Sequence, residues 1–277
     1  VTGTLRPASP SAFGDLLRGW RQRRRLSQLD LAGDADISAR HLSFVETGRS
    51  TPSRDMVLRL AEQLDVPLRE RNALLLAAGY APMFAERPLH NPALCAAREA
   101  VQAVLTGHEP YPALAIDRHW TLVAANQAVG PLLVGVAPEL LAPPVNVLRL
   151  SLHPGGLAPR IVNLGEWRLH LLTRLDGQIG RSGDPELEAL RRELAAYPFA
   201  EHLQEAAPIP AHASVFVPLR LEVPQGSLTL LSTTTVFGTP LDVTLSELAI
   251  EAFFPADAAT GERLRGLMGV PTGDGQT

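Results

Sequence analysis

The apolar residues of this chain change their period part-way along. As far as Leu105 they recur at helical spacing, and from Pro112 onward they run in short stretches with the two-residue alternation of strands. A helix buries a stripe and a strand buries alternate residues, so one layer of one kind cannot serve both patterns. The chain is therefore read as an all-α segment followed by an α+β segment. Its 277 residues suit one large or two ordinary domains, and 45% apolar with 19% charged residues is enough to form cores.

The first segment reads as five short helices. After a lead from Pro7 to Pro10, Ser11 is a cap for a helix carrying Phe13, Leu16, Leu17 and Trp20. Ser27 precedes a short helix with Leu29, Leu31 and Ala32, broken at Asp34, Ala35 and Asp36. Ser38 opens a third with Leu42 and Val45 inward, closed by Gly48. Ser53 opens a fourth with Val57, Leu60, Ala61 and Leu64, and Pro67 stands near the start of a fifth running to Gly79. Tight loops between such helices imply a compact bundle. The stretches 27–34 and 38–47 have helix-turn-helix spacing.

Charge is divided in the same place. All 25 basic residues are arginine, and the net charge is −4. Residues 1–88 hold 13 arginines against 10 acids, whereas 89–277 hold 12 against 19. The run Arg18, Arg21, Arg23, Arg24, Arg25 falls in the positive part. Such asymmetry suggests an anionic partner for the first segment, the alternative being a solvated helix face. A lone Cys95 excludes an internal disulfide and a Cys-rich zinc site. No apolar run has membrane-spanning length and no signal peptide opens the chain, so a cytoplasmic protein is expected.

The series Leu26, Ser27, Gln28, Leu31, Ala32, then Ile37 and Ser38, then Glu46, Gly48, Arg49, Pro52 and Ser53 resembles the phage-repressor type of helix-turn-helix. That type occurs in the xenobiotic-response-element family of bacterial regulators. The resemblance implies a lambda-repressor-like bundle whose second motif helix enters the major groove of double-stranded DNA. It places Ala39, Arg40, His41, Ser43 and Phe44 toward base edges, and Gln28, Ser38, Thr47, Arg49 and Arg54 toward the phosphate backbone. Arginine suits a guanine edge, and Phe44 and Ala39 suit thymine methyls. Phosphate contacts fix register without reading sequence. The family pairs the positions of Arg21 and Glu46 in a structural salt bridge. Asp36 stands where the family commonly has glycine, and aspartate tolerates a positive φ less well.

Asn91 and Pro92 begin a helix with Leu94, Val101, Val104 and Leu105 on one side. It is open whether this helix joins domains, helps a dimer form or packs on the second domain. Two strands, 112–116 and 120–124, then flank a turn at Asp117, Arg118 and His119. Helical stretches come next at 126–133, 146–152, 160–175 and 185–196, and strands at 214–223, 227–237 and 243–254 close the chain, with turns at Pro224 to Gly226 and Gly238 to Pro240. Two strands, a helical insert and a three-stranded meander form the order of a PAS-like domain with a five-stranded antiparallel sheet. His108 to Ala113, Trp120, Asn126, Asn146, Arg149, His153, Asn163, Trp167, Thr235, Phe237 and Ile250 to Asp257 resemble the ligand-binding domain of MmyB-like regulators. That resemblance implies a pocket for a small apolar ligand, a fatty acid being one candidate, with no cofactor required.

Asn163, Trp167, His170 and Arg174 share one helical stripe beside the apolar Leu171. Two readings stay open: donors for a carboxylate head group, or side chains satisfied by backbone and acids. Asn146, Arg149 and His153 form a second such cluster, and Leu231, Thr233, Thr235 and Phe237 alternate onto one sheet face as cavity wall or ordinary core. The expected organisation is a lead at 1–10, a DNA-binding bundle at 11–85, a connector helix at 86–109, the ligand-binding domain at 110–268 and a tail at 269–277. No hydrolase, metalloprotease, P-loop or dinucleotide motif is present, and His153 to Gly156 lacks the serine elbow an esterase needs. The expected protein is a one-component regulator, a repressor by resemblance. It binds a pseudo-palindromic operator as a homodimer and is neither an enzyme nor membrane-bound. The other reading is a DNA-binding protein whose second domain only dimerises or docks a partner.

Overall fold

The structure is a computed structural model that describes residues 10–198, 217–238 and 240–269. The expected lead before Pro10, the tail beyond Gly269, the start of the 214–223 strand and Thr239 of one turn lie outside the described residues. Two compact units are present. One holds the chain up to Arg87 with Gly180–Ser182 and Pro240–Ser246; the other holds the remainder from Pro88.

The first unit contains α1 (Pro10–Arg23), α2 (Gln28–Asp34), α3 (Ala39–Glu46), α4 (Arg54–Gln63) and α5 (Leu68–Ala77). The hydroxyls of Ser27, Ser38 and Ser53 accept from the backbone N–H of Asp30, His41 and Met56, so each cap satisfies a donor that the helix leaves unpaired. Asp30 closes a capping box by accepting from the Ser27 N–H. The first helix starts at Pro10, one residue before the cap expected at Ser11. Phe13, Leu17, Trp20, Leu31, Leu42, Val45, Val57, Leu60, Leu64, Leu74 and Leu75 form one core. Between α2 and α3, Asp36 takes φ +52°, the left-handed value this turn requires, without glycine. The backbone N–H of Ile37 returns to the Ala32 carbonyl at 2.9 Å.

Gly14 has a role that spacing alone did not disclose. A Cβ there would lie 2.3 Å from the Glu46 carbonyl oxygen, so α1 crosses the end of α3 only because Gly14 has no side chain. Asn72 of α5 holds the strand-like exit from the bundle, accepting from the N–H groups of Met83 and Phe84 and donating to the Phe84 carbonyl.

In the second unit α6 (Cys95–Gly107) leads into β1 (Ala113–Ile116) and β2 (Leu122–Ala125). The helices α7 (Pro138–Leu141), α8 (Val147–Leu152), α9 (Leu164–Ser182) and α10 (Pro185–Ala196) come next. Then come β3 (Leu219–Val223), β4 (Gly226–Val236), the short α11 (Val243–Ser246, in the first unit), β5 (Ala249–Pro255) and α12 (Ala258–Leu267). All pairings within this sheet are antiparallel, in the order β2-β1-β5-β4-β3. Val101 and Leu105 of α6 pack on Ala113, Ala115, Leu248 and Ile250, so this helix covers one sheet face and belongs to the second unit. The opposite face supports the main core, to which Leu148, Leu152, Trp167, Leu171, Leu175, Leu187 and Leu194 contribute. None of the helices among the described residues is long and apolar enough to cross a membrane.

Two boundaries differ most from expectation. The strand expected at 243–254 begins only at Ala249. Before it, the Asp242 carboxylate accepts from the Thr244 N–H at 2.9 Å and its carbonyl from the Ser246 N–H at 3.0 Å, which winds α11. The helix expected to end at 175 continues to Ser182, where Gly183 stops it at φ +65°.

Candidate nucleic-acid interface and ligand cavity

The helix-turn-helix is anchored from behind by Glu46, whose side chain is fully buried. It accepts from Arg21 Nε and Nη2 at 2.7 and 2.9 Å and from Gln28 Nε2 at 2.8 Å, while Arg18 Nη2 donates to its carbonyl at 2.9 Å. Burial alone would raise this carboxyl. The hydrogen bonds from Arg21 and Gln28, with the charges of Arg21 and Arg18, outweigh burial and hold it below the usual carboxylate range. Arg21 and Glu46 thus form the bridge that the resemblance implied.

The outer side of α3 carries the expected reading residues. Arg40 is exposed, and its guanidinium carbon lies 5.4 Å from the centre of the Phe44 ring, which rests half-buried beneath it. His41 and Ser43 are half-buried. Ala39 leans on the core and offers less surface than expected. Ser38, Arg49 and Arg54 are exposed at the start of α3, after its end and at the start of α4. Two expected phosphate donors have internal partners. One Gln28 amide N–H goes to Glu46, and the Thr47 hydroxyl donates to the Ser43 carbonyl at 2.7 Å. A serine hydroxyl that accepts at a cap keeps its own hydrogen to donate, whereas Thr47 has already committed its one. Arg24 is structural as well: it donates to the carbonyls of Leu64 and Asp65 and, with Arg23, lies over Trp20.

In the second unit a cavity of about 100 Å³ lies between the main-core face of the sheet and helices α8 and α9. Its wall is almost wholly apolar, with Leu114, Leu132, Leu148, Leu171, Leu221 and Phe253 prominent. Of the residues expected here from the sequence, Trp167, Leu171 and Arg174 line it.

The other expected pocket residues are elsewhere. Asn146 caps α8 through the N–H groups of Leu148 and Arg149 and donates to the His119 carbonyl. Asn163 ties the start of α9 to β3, accepting from Arg220 N–H and donating to the Pro218 carbonyl and to Glu166. These amides are latches for buried backbone. Arg149 makes a two-pronged bond to Glu193 at 2.8 and 2.7 Å. His153 lies edge-on to Tyr197. Burial and the bond to Glu193 push the Tyr197 phenol up to about 12. His170 stacks on Trp167 instead of facing the cavity, and burial with the nearby Arg174 charge lowers its pKa. Leu231, Thr233, Thr235 and Phe237 lie on the α6 face, because Ser232 pairs with Phe253 and Thr234 with Glu251 on the cavity side. A shift of one residue moves every side chain to the opposite face.

Most of the cavity lining was not expected from the sequence, and Trp120, Glu251 and Ser232 are among those residues. Trp120 has φ +65°, rare for a bulky side chain. It is held by Asp117, whose carbonyl accepts from its N–H at 3.1 Å, and by Gln178, which accepts from its Nε1 at 2.8 Å. Glu251 is buried within β5 and Ser232 borders the cavity from β4. The Asp117 turn was legible; the inward charge at Glu251 was not, because its partner Arg174 is 77 residues earlier in the chain.

Comparison with known proteins assigns both units. Residues 12–74 match a family model described as a helix-turn-helix domain. Residues 97–267 match one described as the MmyB-like transcription regulator ligand binding domain. Among solved structures, the restriction-modification controller protein C.AhdI from Aeromonas hydrophila is 34% identical over 22% of this chain and 94% of its own, with a TM-score of 0.22. The clp gene regulator ClgR from Corynebacterium glutamicum is 27% identical over 27% of this chain and 94% of its own, with a TM-score of 0.24. No curated protein matches. The second family model spans well over half of the chain, and the first precedes it in the order the fold requires. The chain therefore belongs to the MmyB-like transcription regulators, as a helix-turn-helix DNA-binding unit joined to a ligand-binding domain.

Proposed function

We propose that this protein is a one-component repressor that binds a pseudo-palindromic operator as a homodimer and changes its operator affinity when a small apolar molecule occupies the second unit. The setting is the cytoplasm, and the reading is non-enzymatic. The observation that carries it is α3, with Arg40 and Phe44 outward, flanked by exposed Ser38, Arg49 and Arg54. This is the arrangement of a groove reader between phosphate contacts. The apolar cavity supports the sensing half, with a fatty acid among the candidate ligands.

The test is selection of retained fragments from a random DNA pool by the full chain. A two-fold symmetric site should emerge. Arg40→Ala should cost about 1–3 kcal/mol and relax preference at one base position in each half-site. Arg49→Ala should weaken binding to all fragments alike and reduce the salt slope. Enrichment of no site, or of a site unaffected by Arg40→Ala, would overturn the assignment of α3 as the reading helix.

A further inference from the structure

Among the described residues lining the cavity there is one charged cluster, and its charges cancel. Arg174 Nη1 donates to Glu251 Oε2 at 3.1 Å, and Nη2 donates to Glu251 Oε1 and to Thr234 Oγ1, the latter at 2.7 Å. Thr234 in turn donates to Glu251 Oε1 at 2.8 Å. The guanidinium carbon is 4.6 Å from the centre of the Trp120 ring. The Glu251 side chain is only 5% exposed and that of Arg174 28%, so the carboxylate is almost out of water while the guanidinium keeps an edge in it.

A carboxylate ligand that took Arg174 for itself would strand Glu251 as a buried, unpaired anion. One that approached without displacing Glu251 would meet a pair whose charges already cancel. Both outcomes oppose an anionic head group, because removing one partner of a buried pair exposes the full desolvation cost of the other. Among the described lining residues, the hydroxyls are those of Ser151 and Ser232. Ser151 Oγ accepts from Trp167 Nε1 at 2.9 Å and keeps its own hydrogen to donate. Hydroxyls on an apolar wall suit an uncharged group that can donate or accept. A volume of about 100 Å³ suits a small ring or a short chain.

We infer that the ligand of this domain is uncharged: an alcohol, amide, ester or hydrocarbon, and not a carboxylate. Glu251 is the residue that sets this preference, by neutralising Arg174. The inference rests on the reading of the cavity as the ligand site, and narrows it by removing the ionised fatty acid from the candidates.

The experiment titrates full-length protein at about pH 7.5, where octanoate is ionised. The ligands are octan-1-ol, octanamide and octanoate, followed by calorimetry and by the fluorescence of Trp120 and Trp167. The alcohol and amide should bind at least about tenfold more tightly than octanoate, the scale expected for disturbing a buried ion pair. Glu251→Gln keeps the side chain's size and removes its charge, so octanoate should gain affinity and the alcohol should not. Octanoate binding the wild type as tightly as octan-1-ol would overturn the inference while leaving the cavity as the ligand site. Binding of none of the three would overturn both the inference and the sensing reading. The wild-type comparison stands even where Glu251→Gln fails to fold.

Discussion

Glu46 lies behind the reading helix with no solvent contact of its own and three side-chain hydrogen bonds, two from Arg21 and one from Gln28. Glu46→Gln would leave Arg21, itself only 12% exposed, without its counter-charge. We expect a loss of about 3 kcal/mol, the lower end for breaking a buried pair, measured by denaturant unfolding of the full chain. Because the folded state lowers the Glu46 pKa, its contribution is present above the unfolded value of about 4.3 and is lost as pH falls through the folded value. The gap between wild type and variant should therefore narrow below about pH 4, and a gap that widened there would contradict the assignment. At this scale the sequence was informative where a resemblance fixed the position, as at Arg21 and Glu46. It was less so for Thr47, whose expected phosphate bond competes with a helix carbonyl one turn away.

Helix starts were legible because a capping serine acts on the backbone three residues ahead, a purely local effect. The crossing of α1 over α3 was not, since it depends on atoms 32 residues apart in sequence meeting at Gly14 and Glu46. Gly14→Ala should lower the melting temperature, because forcing α1 away from α3 costs about 1–3 kcal/mol and outweighs the gain in helix propensity. Gly19→Ala, in the same helix with nothing within 4 Å of the added Cβ, should instead stabilise by about 0.5–1 kcal/mol. Equal effects at the two positions would show that the close approach does not hold α1 in place. In the sheet, the existence of five strands was legible from alternation. Which face looks into the cavity was not, because that depends on register with β5.

For the whole molecule, a net charge of −4 conceals a basic first segment and an acidic remainder. Ligand and operator affinities must be linked: whatever factor octan-1-ol applies to operator binding, operator must apply to octan-1-ol binding. Gel-shift titrations with and without the alcohol, paired with alcohol titrations with and without operator, should give the same factor. A factor of one in both would leave the second unit as a dimerising or docking domain without sensing. The sequence by itself determined two units of different class, the helix-turn-helix and the family, because periodicity, caps and contiguous motifs act over short stretches of chain. Only the tertiary structure decided that α6 covers the sheet, that Asn146 and Asn163 are latches, and that Arg174 is neutralised within the cavity wall by Glu251. Those outcomes depend on which distant groups meet out of water, and a buried polar group takes the nearest partner that satisfies it.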